Sequence, residues 1–361
     1  MVYIILAILF ITIQVFFLSR LIKVSDLIKY KIIALLVFFQ LFLPAALRHV
    51  DVYNDTGMYV NHFKKINPKN VLSIDYNSRF EKGYQILENF IFLKISKSPI
   101  ALLFFTSLFI QASHIIFFYR YSKILWFSIF LYLGLTYYFF TVSGIRQSIA
   151  ISIFNFSFIF LINKKWIFYA ISIFCAAMFH SSAYLLLCLP ILYNIRISIK
   201  LLILYTVFVL ICFLFLKDIL NLYYTYFPKY GANYLAEQWI SKSKIGTYII
   251  ILTNFIGFLI VLKKFNFKDY SYTEKYMLFS YMMVLTFLIF SLKISVISRF
   301  TNYFIPATIV MLANSCWKIK NNVYRNIIYS FWVIFLVCQV AVILVYRPNW
   351  FTIVPYKFYW Q

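Results

Sequence analysis

The feature that most constrains this chain is a succession of apolar runs separated by short basic loops. The runs cover residues 1–18, 32–47, 99–118, 124–142, 147–162, 166–179, 182–193, 201–216, 246–262, 276–292, 300–316 and 327–346. A helix needs roughly 20 apolar residues to cross the hydrocarbon of a bilayer, and in lipid the backbone satisfies its own hydrogen bonds only as a helix or a closed barrel. With 64% of 361 residues hydrophobic and 12% charged, little chain is left for a soluble domain. That composition excludes a soluble globular protein, a disordered chain and a disulfide-stapled secreted domain. The expected fold is all-α: one polytopic integral membrane domain over residues 1–361, with about twelve transmembrane or re-entrant helices.

Charge sets the expected topology. The net charge is +24, which in a soluble protein would point to nucleic acid. Here the cations gather in short loops between apolar runs, so they read as the positive-inside rule, and no nucleic-acid partner is expected. The stretch 166–193 decides the count. Read as a hairpin with its tip near His180, it puts the short basic loops around Lys23, Lys123, Lys164, Arg196, Lys264 and Lys320 all in the cytoplasm. Read as one long span, it would put Lys263, Lys264 and Lys268 outside. The hairpin is preferred, with both termini outside. The first run lacks a basic segment ahead of it and is followed by Arg20, so it reads as a span rather than a cleaved signal. The five cysteines all lie in apolar runs without a Cys-x-x-Cys pair, so neither a disulfide framework nor a metal site is expected.

Polar chemistry collects on the outer face. The first outer loop, residues 48–98, holds Asp51, Asp55, Asp75, Glu81 and Glu88, which are five of the ten acids. Its carboxylates suit general-base work or the holding of sugar hydroxyls, and equally a solvated loop with ion pairs. Arg146 follows Gly144 at the head of an apolar run. A guanidinium at a helix N-terminus suits phosphate oxygens, although an arginine at a span end is also an ordinary interfacial anchor. His180 lies inside apolar sequence, where an unpaired imidazole is costly, and it titrates near neutral pH. Arg299 heads a further apolar run. In this topology Arg48, Arg146, His180 and Arg299 reach one face, an arrangement suited to a diphosphate. His114 has few polar neighbours in sequence and reads as a packing residue. The second outer loop, 217–245, is rich in Tyr and Trp, as sugar-stacking surfaces and interfacial belts both are. No Walker A run, Asp-x-Asp, Gly-x-Ser-x-Gly or His-Glu-x-x-His occurs.

Five short motifs stand in order: Arg48 with Asp55-Thr56 and Tyr59; Phe80-Glu81-x-Gly83-Tyr84; Arg146-Gln147-x-Ile149-Ala150; Phe179-His180-x-Ser182-Ala183; and Arg299-x-x-x-Tyr303-Phe304. In this the chain resembles the EpsG family of Wzy-type exopolysaccharide and O-antigen polymerases. The resemblance implies a GT-C-like polymerase architecture in the bacterial cytoplasmic (inner) membrane, with its active site facing outward. It implies polymerisation of undecaprenyl-diphosphate-linked oligosaccharide repeats, with the lipid diphosphate as leaving group and with neither metal nor cofactor. The expected partners are that lipid-linked oligosaccharide, membrane lipid and a chain-length regulator. On this reading His180, Asp55 and Glu81 are the catalytic candidates. Arg146, Arg299 and Arg48 bind the diphosphate, and Gln147, Tyr59 and Tyr303 are candidates to hold sugar.

Three rivals remain open on the sequence. A flippase for the same lipid-linked oligosaccharide calls for charges along a central path and a repeated half. A membrane acyltransferase calls for a cytoplasmic donor site. A GT-C glycosyltransferase adding one sugar differs in product length.

Overall fold

A computed structural model of the chain describes residue 11 and residues 26–226 and 245–361. The run at 1–18 therefore falls outside the described residues except at Ile11, and so does most of the expected second outer loop, 217–245. Among the described residues six helices are long and apolar enough to cross a membrane, and two bent pairs raise the number to as many as eight. The chain is a polytopic membrane protein, all-helical among the described residues. Among the described residues there is no strand, and Arg48 and Phe358 form an isolated β-bridge.

The chain divides into two compact units, residues 1–190 with 320–361 and residues 191–319. In the first unit, α1 (Asp26–Ala46) is followed by two helices within the expected outer loop, α2 (Thr56–Lys65) and α3 (Lys82–Lys94). Then come α4 (Pro99–Tyr121), α5 (Leu125–Gly134), α6 (Tyr137–Ser143), α7 (Ile145–Ile162) and α8 (Trp166–Ala177). After the second unit the chain returns as α14 (Asn322–Tyr346). Pro99 starts α4 at a position whose N–H has no helical partner. The continuous run 124–142 is not one straight span: α5 and α6 meet at 66°. Thr136 takes a left-handed φ of 60° there, which no helix interior tolerates.

Within this unit α4 is the central post, packed by α1, α7, α2 and α3. Its polar residues tie neighbouring helices together, as small hydrogen-bonding groups do in membranes. Asn155 of α7 donates to Ser113 at 3.2 Å, and Ser113 donates to the Ser152 carbonyl at 3.2 Å. Tyr132 of α5 donates to Gln111 at 3.0 Å. His114 is fully buried, stacked on Tyr132 with ring centroids 5.4 Å apart. The loop helices sit on α4 and α7 through one apolar cluster of Tyr59, Phe63, Phe80, Tyr84, Leu102 and Ile145. The segment 166–193 is broken at 178–180, with α8 on one side and a 3-10 helix, Ser181–Asn194, on the other. His180 stands at that break.

The second unit holds α9 (Ile199–Leu214), α10 (Leu216–Tyr226), α11 (Ile245–Lys264), α12 (Tyr272–Phe290), a 3-10 helix (Ser295–Tyr303) and α13 (Ile305–Trp317). A capping box of Ser271 and Glu274 starts α12. The run 300–316 bends by 63° where the 3-10 helix passes into α13, and Pro306 follows directly. Gly257 lets α11 approach α12, since a Cβ there would collide with the Tyr281 hydroxyl.

Candidate functional site

Local sequence brings three helix ends to one point. Gly144 ends α6 and caps α7, so Arg146 occupies the second position of α7, where backbone N–H groups lack helical partners. Glu81 is the N-cap of α3, with extended backbone that leaves its side chain outside the helix. His180 follows the last turn of α8, its own N–H bonded to the Ala176 carbonyl at 3.1 Å.

Glu81 joins the other two. Arg146 Nη1 donates to Glu81 Oε2, and also to the Arg79 carbonyl at 3.2 Å. His180 Nδ1 lies 3.1 Å from Glu81 Oε1. The Arg146, Glu81 and His180 side chains keep 17%, 20% and 22% of their surfaces exposed, so a ligand reaches all three. Burial pushes the Glu81 carboxyl up, but the hydrogen bond to His180 and the charge of Arg146 outweigh it and hold the group below the usual carboxylate range. The Phe80 ring lies under the Arg146 guanidinium at 4.8 Å. Tyr59, buried on α2, hydrogen-bonds Arg146; burial drives its phenol upward and Arg146 opposes the shift.

Gly83 makes the meeting possible. Its amide donates to the Met178 carbonyl at 2.9 Å, and a Cβ there would stand 2.8 Å from Met178 Cβ. No real side chain tolerates such a contact, so a glycine is required for the start of α3 to lie against the end of α8.

Arg48 is 1% exposed and lies beneath the surface. It donates to Thr56 Oγ1 at 3.0 Å, Ser107 Oγ at 3.4 Å, the Val142 carbonyl at 3.1 Å and the Ala45 carbonyl. Its guanidinium is thus held by α1, α2, α4 and α6. Asp55 is the N-cap of α2, one turn before Tyr59, and makes no side-chain cap bond. Gln147 is buried on α7. Arg299 is exposed and Tyr303 buried, both on the 3-10 helix of the second unit.

A model of the EpsG family matches residues 31–358. The chain belongs to the EpsG family. EpsG proteins are a Wzy-type polysaccharide polymerase family, so the general role is polysaccharide synthesis in a membrane. No curated protein and no solved structure matches the chain. In this EpsG chain the motifs around Glu81, Arg146 and His180, 34 to 99 residues apart in sequence, share one site. Sequence reading overlooked a second pair in the same loop. His62 Nδ1 lies 2.9 Å from the Oε2 of Glu88, whose side chain is 1% exposed. Burial raises the Glu88 carboxyl despite the opposing His62 contact. The two residues are 26 apart on different helices, so no periodicity announces them.

Proposed function

We propose that this chain polymerises undecaprenyl-diphosphate-linked oligosaccharide repeats at the extracytoplasmic face of the bacterial inner membrane. The growing glycan leaves its lipid diphosphate and joins the non-reducing end of a fresh lipid-linked repeat. The observation that carries this reading is the single carboxylate of Glu81 engaged by both Arg146 and His180, at a partly exposed junction of three helix ends.

The acceptor hydroxyl attacks the anomeric carbon, the bond from that carbon to the diphosphate oxygen breaks, and two charges need handling. The proton of the hydroxyl passes to His180. Glu81 orients the ring by accepting Nδ1–H, which leaves the lone pair on Nε2 to receive it. The negative charge developing on the diphosphate is met by Arg146, whose guanidinium and helix N-terminus both favour phosphate oxygens. Arg299 is a second donor to the diphosphate on this reading. Arg48, enclosed by its own hydrogen bonds, acts on the fold beneath the site. Asp55 is the alternative base on this reading, and Gln147, Tyr59 and Tyr303 are the candidates to hold the sugar. A twelve-segment topology and a GT-C-like architecture belong to the same proposal, as does a chain-length regulator as partner. The polymer-forming step needs neither metal nor cofactor here, since arginine and histidine carry the charge and the proton.

The test is a gel of surface glycan from strains with the gene deleted, restored, and restored as Arg146→Ala. Deletion collapses the ladder to single repeats, and Arg146→Ala fails to restore it at normal membrane levels. A ladder that survives deletion, with only a substituent changed, overturns the reading in favour of a modifying transferase.

A further inference from the structure

Beside the Glu81 site lies a cavity of about 530 Å³ between α2, α3 and the loop 66–80. That is within the range of small-molecule sites, about 300–1,000 Å³. Its walls are fixed. Gln85 Nε2 donates to the Phe80 carbonyl at 2.8 Å and to the Asp75 carbonyl at 3.1 Å, while its Oε1 accepts from the Asp75 amide at 2.8 Å. Asn89 Nδ2 donates to the Ser73 carbonyl at 2.7 Å. Two buried amides therefore pin the loop as a preformed wall, which lowers the entropy lost when a ligand binds.

The buried carboxylate of Glu88 lines this cavity with His62. Taking a carboxylate out of water for one imidazole contact is a poor bargain for a fold, and a good one for a site whose ligand supplies hydroxyl donors. The mouth carries exposed Lys65 and Lys69 together with exposed Asp75. Two cations against two carboxylates leave no formal surplus, which favours a neutral ligand over an anion. The lining mixes polar side chains with Ile66, Pro68 and Ile74, which suits a sugar with hydroxyl edges and C–H faces. The position completes the argument. The Phe80 ring touches the His62 ring, with centroids 4.2 Å apart, and also carries the Arg146 guanidinium at 4.8 Å. The cavity is one aromatic ring away from the reacting centre.

We infer that this cavity is a saccharide subsite that holds a neutral sugar unit of the glycan next to the reacting linkage, with Glu88 and His62 accepting and donating to its hydroxyls. The inference rests on the polymerase reading. It is tested on the purified full-length chain in nanodiscs. The probe is the lipid-free repeat oligosaccharide released by mild acid from the host's own surface polymer, and binding is read by saturation-transfer NMR. Wild type binds the probe. Glu88→Gln and, at the exposed rim, Asn67→Trp weaken binding at least tenfold. Asn67→Trp fills the mouth without touching the buried pins, so it decides the matter where Glu88→Gln fails to fold. Equal binding by wild type and Asn67→Trp overturns the subsite, and so does a wild type that leaves the probe unbound at millimolar concentration. The glycan ladder of the deletion strain is scored separately: a lost ladder with a failed subsite leaves the polymerase reading standing, and a surviving ladder removes the reading itself.

Discussion

Gly83 and Met178 are joined backbone to backbone, amide to carbonyl, at 2.9 Å, and this bond fixes how far Glu81 stands from His180. The start of α3 and the end of α8 thereby act as one rigid corner. Gly83→Ala tests the corner. Its methyl would stand 2.8 Å from Met178 Cβ and 2.9 Å from the Met178 carbonyl, so one element must shift. Overpacking of this kind costs about 1–3 kcal/mol. Polymer yield drops at least ~10-fold while the membrane level, followed by immunoblot, falls less. A wild-type ladder from Gly83→Ala would show that the corner does not matter to the reaction.

Glu81→Gln keeps the shape of the side chain and removes the charge that Arg146 and His180 share. A loss of polymer of about 10²–10⁴-fold is expected, the range for a misplaced acid–base group. Arg146→Lys keeps the charge but loses the planar fork, and is expected to recover only a small part of the activity. Chain length on gels, normalised to protein level, measures both. Activity within twofold of wild type in Glu81→Gln removes Glu81 from the site.

Acid titration separates two carboxylates on one helix. Glu81 is held below its ordinary value, so the folded state binds fewer protons there than the unfolded state. Its contribution is present above about pH 4.3 and disappears as pH falls through the lower folded value. Glu88 is raised by burial, so the folded state binds more protons, and stability declines as pH rises from about 4.3 through the higher folded value. Melting of the detergent-solubilised protein therefore shows Glu88→Gln gaining on wild type as pH rises, and Glu81→Gln losing against it. The same pH slope in both variants contradicts the assignment.

Arg48 and Arg146 give opposite phenotypes on removal. Arg48→Ala deserts the Val142 and Ala45 carbonyls in a buried setting, and hydrogen bonds to a charged group are worth about 1.5–3 kcal/mol each. The expected result is little folded protein in the membrane. Arg146→Ala leaves protein at near-normal levels without polymer. Full-level, inactive Arg48→Ala protein would move Arg48 back among the ligand-binding arginines.

The membrane class was legible from the apolar runs, and Glu81, Arg146 and His180 each stood out as polar residues beside them, but their junction through the Glu81 carboxylate appears only in the fold. Arg48 was not legible in the same way. An arginine at the end of an apolar run looks the same whether it faces phosphate or carbonyls, and the difference lies in Thr56, Ser107 and Val142. The bend at Thr136 escaped because a β-branched residue rarely adopts a positive φ, and neither glycine nor proline marks the spot. The break at His180 was readable from charge alternation, whereas the 3-10 form of residues 181–194 had no signal in composition. His62 and Glu88 escaped because only the folding of residues 48–98 into two helices brings them together.

The corner around Arg48 also has a history in time. His49 donates to the Lys357 carbonyl at 3.0 Å, Tyr359 donates to the Leu47 carbonyl at 2.9 Å, and Asn54 donates to the Trp350 carbonyl at 2.7 Å. A ribosome releases Leu47 some three hundred residues before it releases Tyr359. Residues 47–54 are thus made long before residues 350–359, whose bonds lock them. A chain stalled short of residue 350 lacks all three of these bonds.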